Sequence, residues 1–213
     1  MSNKGLKAYT KQITQSLSDL AEMSINLNKN DSNFHINIPL ISSVGLNQIK
    51  TSLIFNYQDM GISGLFGHGF KLNYFAKLNE LLDKYTINNA DGSTDEYLAS
   101  DSYENKETKL KIKKKYDDQY HLTYHYEVSD KYDNVMSYYS DLEYPKYIKQ
   151  KNGDKLTLDF IAVTKTINNQ YGDEIRFIKS GNIITKVSYY HNNNEVAYVN
   201  LYYNGTKDKL LPF

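Results

Sequence analysis

The spacing of apolar residues changes near Asn30. Between Ala8 and Met23 they recur at helical spacing, which predicts a short N-terminal helix. After Asn30 the period falls to two, and FHINIPL (34–40) alternates apolar with polar positions, as a strand with one buried face does. The chain is therefore predicted to have an N-terminal segment, residues 1–30, and a β-domain, residues 31–213.

Further alternating segments predict a series of strands in the β-domain. TSLIFNY (51–57) and FKLNYF (70–75) are each expected to form one strand. KYTINNADGSTDEYL (84–98) is expected to form a hairpin with Asp91-Gly92 at its turn. KLKIKKKYDDQYHLTYHYEV (109–128) supplies two more strands around Asp117-Asp118.

Turn signals recur about every 20 residues from Tyr132 onward, which is a spacing typical of repeat architectures. They stand at Asp133-Asn134, Asn152-Gly153, Tyr171-Gly172 and Asn192-Asn193, each followed by a short alternating strand. A single hairpin cannot bury its apolar face alone and must stack on its neighbours. The sequence therefore predicts an all-β fold, a curved antiparallel sheet of repeated β-hairpins.

A glycine cluster interrupts the alternation in GISGLFGHGFKLNY (61–74). A phosphate-binding loop would need these glycines between a strand and a helix, and here a strand follows. The alternative is a corner where the backbone crosses closely or takes positive φ. We interpret Gly64, Gly67, Gly69 and Phe70 as a structural corner.

Composition narrows the function classes. The 213 residues carry 25 basic and 25 acidic side chains, and Arg176 is the sole arginine, so a nucleic-acid partner is not expected. The absence of cysteine excludes disulfides, thiolate catalysis and cysteine-based zinc sites. No stretch has the length of a transmembrane span, and residues 1–30 contain no apolar run long enough for a signal h-region.

The order of these motifs resembles the Rhs/YD-repeat family. The resemblance covers residues 33–204 and is carried by INIPLISSVGLNQIKTSLIFNY (36–57), GLFGHGFKLNY (64–74), ADGSTDEY (90–97) and SGNIITKVSYY (180–190). In two respects the chain departs from the family: Phe70 stands where tryptophan is usual, and YD itself occurs only at Tyr116-Asp117 and Tyr132-Asp133. The family's C-terminal autocleavage segment and variable toxin domain are also missing, which suggests the N-terminal part of a shell.

The resemblance implies an architectural function. Such a segment would belong to a shell that carries, encloses and delivers polymorphic toxins or mediates contact between cells. The expected partners are a toxin cargo or further shell repeats of a longer protein. The expected location is secreted or at the cell surface, with no cofactor and no enzymatic activity.

Tyrosine rows and a lysine run offer a second hypothesis, a surface adhesin module that binds glycans. The weak candidates for binding are Tyr138, Tyr139, Tyr189, Tyr190, Lys111 and Lys113. Aromatic rings can stack on sugars, but tyrosine can equally pack the inside of a sheet with its hydroxyl bonded. Alternating lysines can bind acidic groups, but they also protect a strand edge from unwanted pairing.

The remaining chemistry-bearing residues do not predict a site. His121 and His125 would lie about 13 Å apart on a strand, too far to share one metal ion. His35, His68 and His191 lack a catalytic partner at any recognised spacing. The acidic pairs Asp117-Asp118, Asp141/Glu143 and Asp173-Glu174 lie in or beside turns and are interpreted as turn residues. A third hypothesis, a glycan hydrolase, would require two carboxylates converging in a cleft; no metal site is predicted.

Overall fold

The computed structural model describes most of the chain after residue 23. The described residues are 24–28, 33–56, 63–82, 84–98, 102–104, 111–117, 124–130, 132–139, 142–204 and 211–212. The helix predicted at 8–23 lies outside them, so the division at residue 30 stays a prediction. Within the described residues no helix has the length and hydropathy that a membrane span requires.

The predicted all-β antiparallel fold is confirmed. The strands in chain order are β1 (Ser24–Asn28), β2 (Asn33–Ser42), β3 (Lys50–Asn56), β4 (Ser63–Gly64), β5 (Gly67–His68), β6 (Phe70–Leu72), β7 (Ala76–Glu80), β8 (Lys84–Asn89), β9 (Thr94–Leu98), β10 (Ser102–Glu104), β11 (Lys111–Tyr116), β12 (Tyr124–Ser129), β13 (Val135–Tyr138), β14 (Tyr147–Lys149), β15 (Lys155–Asp159), β16 (Lys165–Asn169), β17 (Asp173–Ser180), β18 (Ile183–His191), β19 (Asn194–Asn200), β20 (Tyr203–Asn204) and β21 (Leu211–Pro212). The chain divides into two compact units. Unit 1 comprises residues 1–73, 90–92 and 160–213, and unit 2 comprises 74–89 and 93–159.

Unit 2 is built from two sheets with a shared core. Strands β7, β8 and β9 form one antiparallel sheet, and β10 to β15 pair in chain order to form six strands of another. Side chains from both sheets form one apolar cluster, namely Ala76, Leu78, Tyr85, Ile87, Tyr97, Ile112, Tyr126, Val128 and Tyr138. Because side chains alternate along a strand, the other face of the six strands is left outside this core.

Unit 1 pairs β1–β2–β3–β6 in one sheet and β16 to β19, in chain order, as four strands of another. Strand β2 packs against β18 and β19. Phe177 of β17 lies in this core with no exposed surface, and the ring of Phe66 meets it edge-on at 5.9 Å. The apolar positions of β17 and β18 therefore face inward and their alternate positions face outward.

The predicted hairpin turns lie where the turn signals placed them. Asp133, Gly153, Gly172, Asn192 and Asn193 all adopt positive φ between paired strands. The strand predicted at 70–75 is shorter than expected and ends at Leu72. There the side chain of Asn73 bonds the backbone of β3, accepting from Ser52 N and donating to Lys50 O, and the chain turns.

The glycine cluster forms a tight hairpin in unit 1. Strands β4 and β5 pair around Leu65–Phe66, and Gly67 and Gly69 adopt φ of 91° and 74°. Gly69 O accepts from Asn56 N at 2.8 Å, and the rings of Phe70 and Phe55 lie 4.9 Å apart. A Cβ atom on Gly69 would lie 3.1 Å from Asn56 O and 3.0 Å from the Phe55 ring.

We expect Gly69→Ala to destabilise unit 1 more than Gly181→Ala. Both glycines have similar positive φ, 74° and 64°, but a Cβ on Gly181 meets nothing within 4 Å. Left-handed backbone costs about 1–2 kcal/mol at either position, and crowding at Gly69 adds about 1–3 kcal/mol. Urea unfolding of the two variants measures the difference. Equal losses would show that the crossing at Gly69 has room for a side chain.

Candidate functional site

The outer face of β11 to β15 in unit 2 carries lysine, glutamate, histidine and tyrosine side chains. Strand pairing sets Lys111, Ser129, Val135, Lys149 and Lys155 in one row across the sheet. A second row holds Lys113, Glu127, Ser137, Tyr147 and Thr157. Lys115 and His125 begin a third row, beside Tyr139. We call these three rows the lysine face.

Glu127 lies at the centre of the contacts on the lysine face. Its carboxylate accepts a hydrogen bond from the Tyr147 hydroxyl at 2.7 Å and pairs with Lys115 Nζ at 2.5 Å. Partial burial acts to raise the pKa of Glu127, but Lys115 and Tyr147 outweigh it and hold the pKa below its usual value. Burial and the bond to Glu127 raise the pKa of Tyr147 to about 12. Glu127 is therefore an ionised structural acceptor.

Asp117 organises the end of the third row. Its carboxylate is 2.7 Å from His125 Nδ1 and accepts a bond from the Tyr139 hydroxyl at 3.2 Å. Lys146 Nζ lies 3.3 Å from the same hydroxyl and 5.1 Å from the centre of the Tyr139 ring. These contacts join residues from four successive segments of unit 2, so they hold the strands in register.

Tyrosine rings on outward positions are covered by cations from their own sheet. In unit 2, Lys155 Nζ lies 4.4 Å from the Tyr147 ring centre. In unit 1, Arg176 lies 3.9 Å from the Tyr190 ring, and Lys186 lies 4.4 Å from the Tyr198 ring. Such cation–π contacts contribute about 0.5–1 kcal/mol at exposed positions. The cations occupy the ring faces that a bound sugar would need for stacking.

The two tyrosine pairs singled out in the sequence are each divided between core and surface. Tyr138 is 1% exposed in the unit 2 core and Tyr189 is 4% exposed in unit 1, so neither ring can reach a ligand from outside. Their neighbours Tyr139 and Tyr190 are half-buried on outward positions. Lys111 and Lys113 are both exposed on the lysine face, on either side of the buried Ile112.

A buried carboxylate in unit 1 is the residue that sequence reasoning missed. Asp173 is 2% exposed, whereas its place beside Gly172 led to its interpretation as a turn residue. Asp173 Oδ1 accepts from the Tyr189 hydroxyl and is bonded to His191 Nδ1, both at 2.8 Å. Asp173 Oδ2 accepts from Asn169 Nδ2 at 2.9 Å. The sequence indicates part of this cluster, because Asn169 and Asp173 lie on either side of the predicted turn at Tyr171-Gly172.

The Asp173 cluster fixes the loop between β2 and β3. Asn169 Nδ2 also donates to Asn47 O at 3.0 Å, and Asn47 adopts positive φ in that loop. Burial acts to raise the pKa of Asp173, but the bonds from His191, Asn169 and Tyr189 outweigh it and lower the pKa. His191 has its second nitrogen, Nε2, 3.0 Å from Asn192 Nδ2. Both ring nitrogens thus contact neighbouring side chains, which orients the imidazole rather than activating a nucleophile.

The corner residues Gly64, Gly67, Gly69 and Phe70 make backbone and packing contacts within unit 1. Gly64 pairs with Gly67 in the small hairpin, and the adjacent Leu65 O accepts from Ile184 N of β18 at 2.7 Å. Gly69 and Phe70 contact β3 through the backbone and the Phe55 ring. Within the described residues no group of three or more histidine, aspartate or glutamate side chains could hold a metal ion.

Comparison with known proteins gives no match, either to a family model or to a curated protein. The geometry of the described residues is therefore the basis for a functional proposal.

Asp173→Asn should destabilise unit 1 by about 1–3 kcal/mol at pH 7, because the new amide would face the Asn169 amide donor. The pKa of Asp173 is lower in the folded than in the unfolded chain, where it is about 3.9. The stability that Asp173 contributes is therefore complete above the unfolded-state pKa and is lost as the pH falls through the folded-state pKa. The difference in the free energy of unfolding between wild type and variant should thus become smaller below about pH 4. Chemical unfolding at a series of pH values measures it.

Glu174→Gln is the matched control for this prediction. Glu174 is the next residue in β17, faces outward and is paired with Arg176 at 2.6 Å. Loss of this pair should cost less than about 1 kcal/mol. A loss at Glu174 as large as that at Asp173, or a gap that does not depend on pH, would contradict the role assigned to the cluster.

Proposed function

We propose that this chain is an architectural segment, one stretch of a β-hairpin wall of the Rhs/YD-repeat type. In this proposal it encloses or displays a cargo, such as a toxin polypeptide, or joins further shell repeats of a longer protein. It acts outside the cell or at the cell surface. It needs no cofactor and catalyses no reaction.

The pairing of the strands supports this function. In unit 2 each strand from β10 to β15 is hydrogen-bonded to the next in the chain, and in unit 1 the same holds from β16 to β19. A wall requires such serial pairing, because each hairpin added along the chain extends the sheet by two strands. Local pairing of this kind also lets a wall lengthen without any long-range crossover.

The observation that carries the proposal is that the outward aromatic groups are bonded within their own sheets. Lys146, Lys155, Arg176 and Lys186 each lie over the ring of a tyrosine on an outward position. Such contacts between neighbouring strands stabilise a sheet by about 0.2–1 kcal/mol per pair. Aromatic side chains that contact cations of neighbouring strands stabilise the sheet and leave their ring faces covered. This arrangement fits a structural wall better than a ligand-binding pocket.

A second candidate function is a glycan-binding adhesin module. It is favoured by the outward positions of Tyr139 and Tyr190 and by the exposure of Lys111 and Lys113. Ring stacking on sugar would first require the covering cations to move away. For this reason the wall is the preferred function, and ring stacking is the weaker mode of glycan binding.

A protection experiment tests the wall. The full chain is co-expressed with the polypeptide encoded directly downstream, whether in the same reading frame or the next. We expect the two to copurify and the downstream polypeptide to be digested by protease at least about tenfold more slowly than alone, because enclosure limits access to its open states. The same polypeptide co-expressed with an unrelated β-protein is the control. Equal digestion rates in all three samples would refute the carrier function.

A further inference from the structure

We propose that the lysine face of unit 2 is a binding surface for an anionic polysaccharide, one that carries carboxylate or sulfate groups. This inference is independent of the wall function, because it concerns one outward face and uses no cargo. It relies on ion pairing and hydroxyl contacts rather than on the covered tyrosine rings.

Charge is concentrated on this face although the whole chain has no net charge. On their described outward positions, β11 to β15 present five lysines, Lys111, Lys113, Lys115, Lys149 and Lys155, against two carboxylates, Glu127 and Asp159. All five lysines are exposed. Such a concentration of one charge attracts a polyanion even on a neutral protein.

The acidic groups around the face are already engaged. Glu127 is paired with Lys115, and Asp117 is bonded to His125 and Tyr139. In the nearby turns, Asp133 pairs with Lys151 at 3.0 Å, and Asp130 accepts from backbone amides of its own turn. Because Lys115 is paired with Glu127 and Lys155 lies over the Tyr147 ring, the proposal rests most on Lys113 and Lys149.

The dimensions of the face suit a chain-like ligand. Lys111 and Lys155 end one row that crosses five strands, about 19 Å at the usual strand spacing. Lys111 and Lys115 lie about 13 Å apart along β11. Lysines therefore lie along two sides of the lysine face, on β11 and along the first row. Next to them lie the hydroxyl-bearing side chains of Ser129, Tyr147 and Thr157. Hydroxyl groups can exchange hydrogen bonds with the hydroxyls of a sugar chain.

Two other classes of polyanion fit the face less well. Nucleic acids are recognised largely through arginine, and the one arginine of the chain, Arg176, lies in unit 1. An anionic membrane surface favours apolar side chains that enter the lipid beside the cations. Val135 is the one aliphatic side chain in the two complete rows of the lysine face, and it is half-buried.

The binding test uses the full chain with polygalacturonate as the probe and neutral dextran as the reference. Affinity is measured by calorimetry at several salt concentrations. We expect binding to polygalacturonate that weakens as salt rises, because screening acts on exposed ion pairs, and no binding to dextran. The double variant Lys113→Gln/Lys149→Gln should bind about fivefold more weakly, the loss expected from two exposed ion pairs.

The double variant Lys50→Gln/Lys179→Gln is the matched control. It removes the same charge from two exposed lysines of unit 1 and should change affinity by less than about twofold. Lys113→Arg/Lys149→Arg retains the charge and should bind as the wild type does. Equal losses in the two glutamine variants would overturn the site, as would salt-independent binding.

A footprint on the wild-type chain makes the test independent of variant folding. Lysines are acetylated with and without polygalacturonate, and the modified positions are read by mass spectrometry. Protection at Lys113 and Lys149 but not at Lys50 and Lys179 is expected. Uniform protection would overturn the proposal. So would binding to a DNA duplex or to phosphatidylserine vesicles that exceeds polygalacturonate binding and is lost in the same variant, because a different class of ligand would then occupy the face.

Discussion

The two-residue period of the β-strand is the constraint on which the rest of this structure depends. It places Tyr138 in the unit 2 core and Tyr139 on the lysine face, and it divides Tyr189 from Tyr190 in the same way in unit 1. A one-residue slip would bury lysines and expose the apolar cluster. Register is therefore specified strongly wherever one face of a sheet is buried, and each hairpin turn must keep it.

Contacts on the outward faces of the sheets add to the stability that the core provides. Tyrosine and lysine are both abundant in this chain, and the sheets use them as partners: cations cover rings, and hydroxyls bond carboxylates such as Glu127 and Glu195. Each contact is modest, but together they link neighbouring strands on the side that has no core. In unit 1 the buried Asp173 adds a stronger connection, because its carboxylate is bonded to three side chains of β16 and β18. One of them, Asn169, also donates to Asn47 O in the β2–β3 loop.

Alternation and turn chemistry made much of the fold predictable. The strand at 34–40, the Asp91-Gly92 hairpin and the turns at Asn152-Gly153 and Asn192-Asn193 follow from local sequence, since both period and positive φ are local properties. The position of Asp173 was not predictable in the same way. Its burial depends on the pairing of β17 with β18, which brings Tyr189 to it, and on Asn47, which approaches from the distant β2–β3 loop. The lysine face was half predicted: β11 alternates in sequence, but its alignment with Lys149 and Lys155 required the register of five strands.

The most direct test of this account compares the two residues of each tyrosine pair. The free energy of unfolding is measured for Tyr138→Ser and Tyr139→Ser in unit 2, and for Tyr189→Ser and Tyr190→Ser in unit 1. Loss of a buried ring should cost about 3–5 kcal/mol at Tyr138 and Tyr189, whereas the outward tyrosines should cost about 1 kcal/mol or less. Equal losses within each pair, or larger losses at Tyr139 and Tyr190, would contradict the register on which both proposals rest.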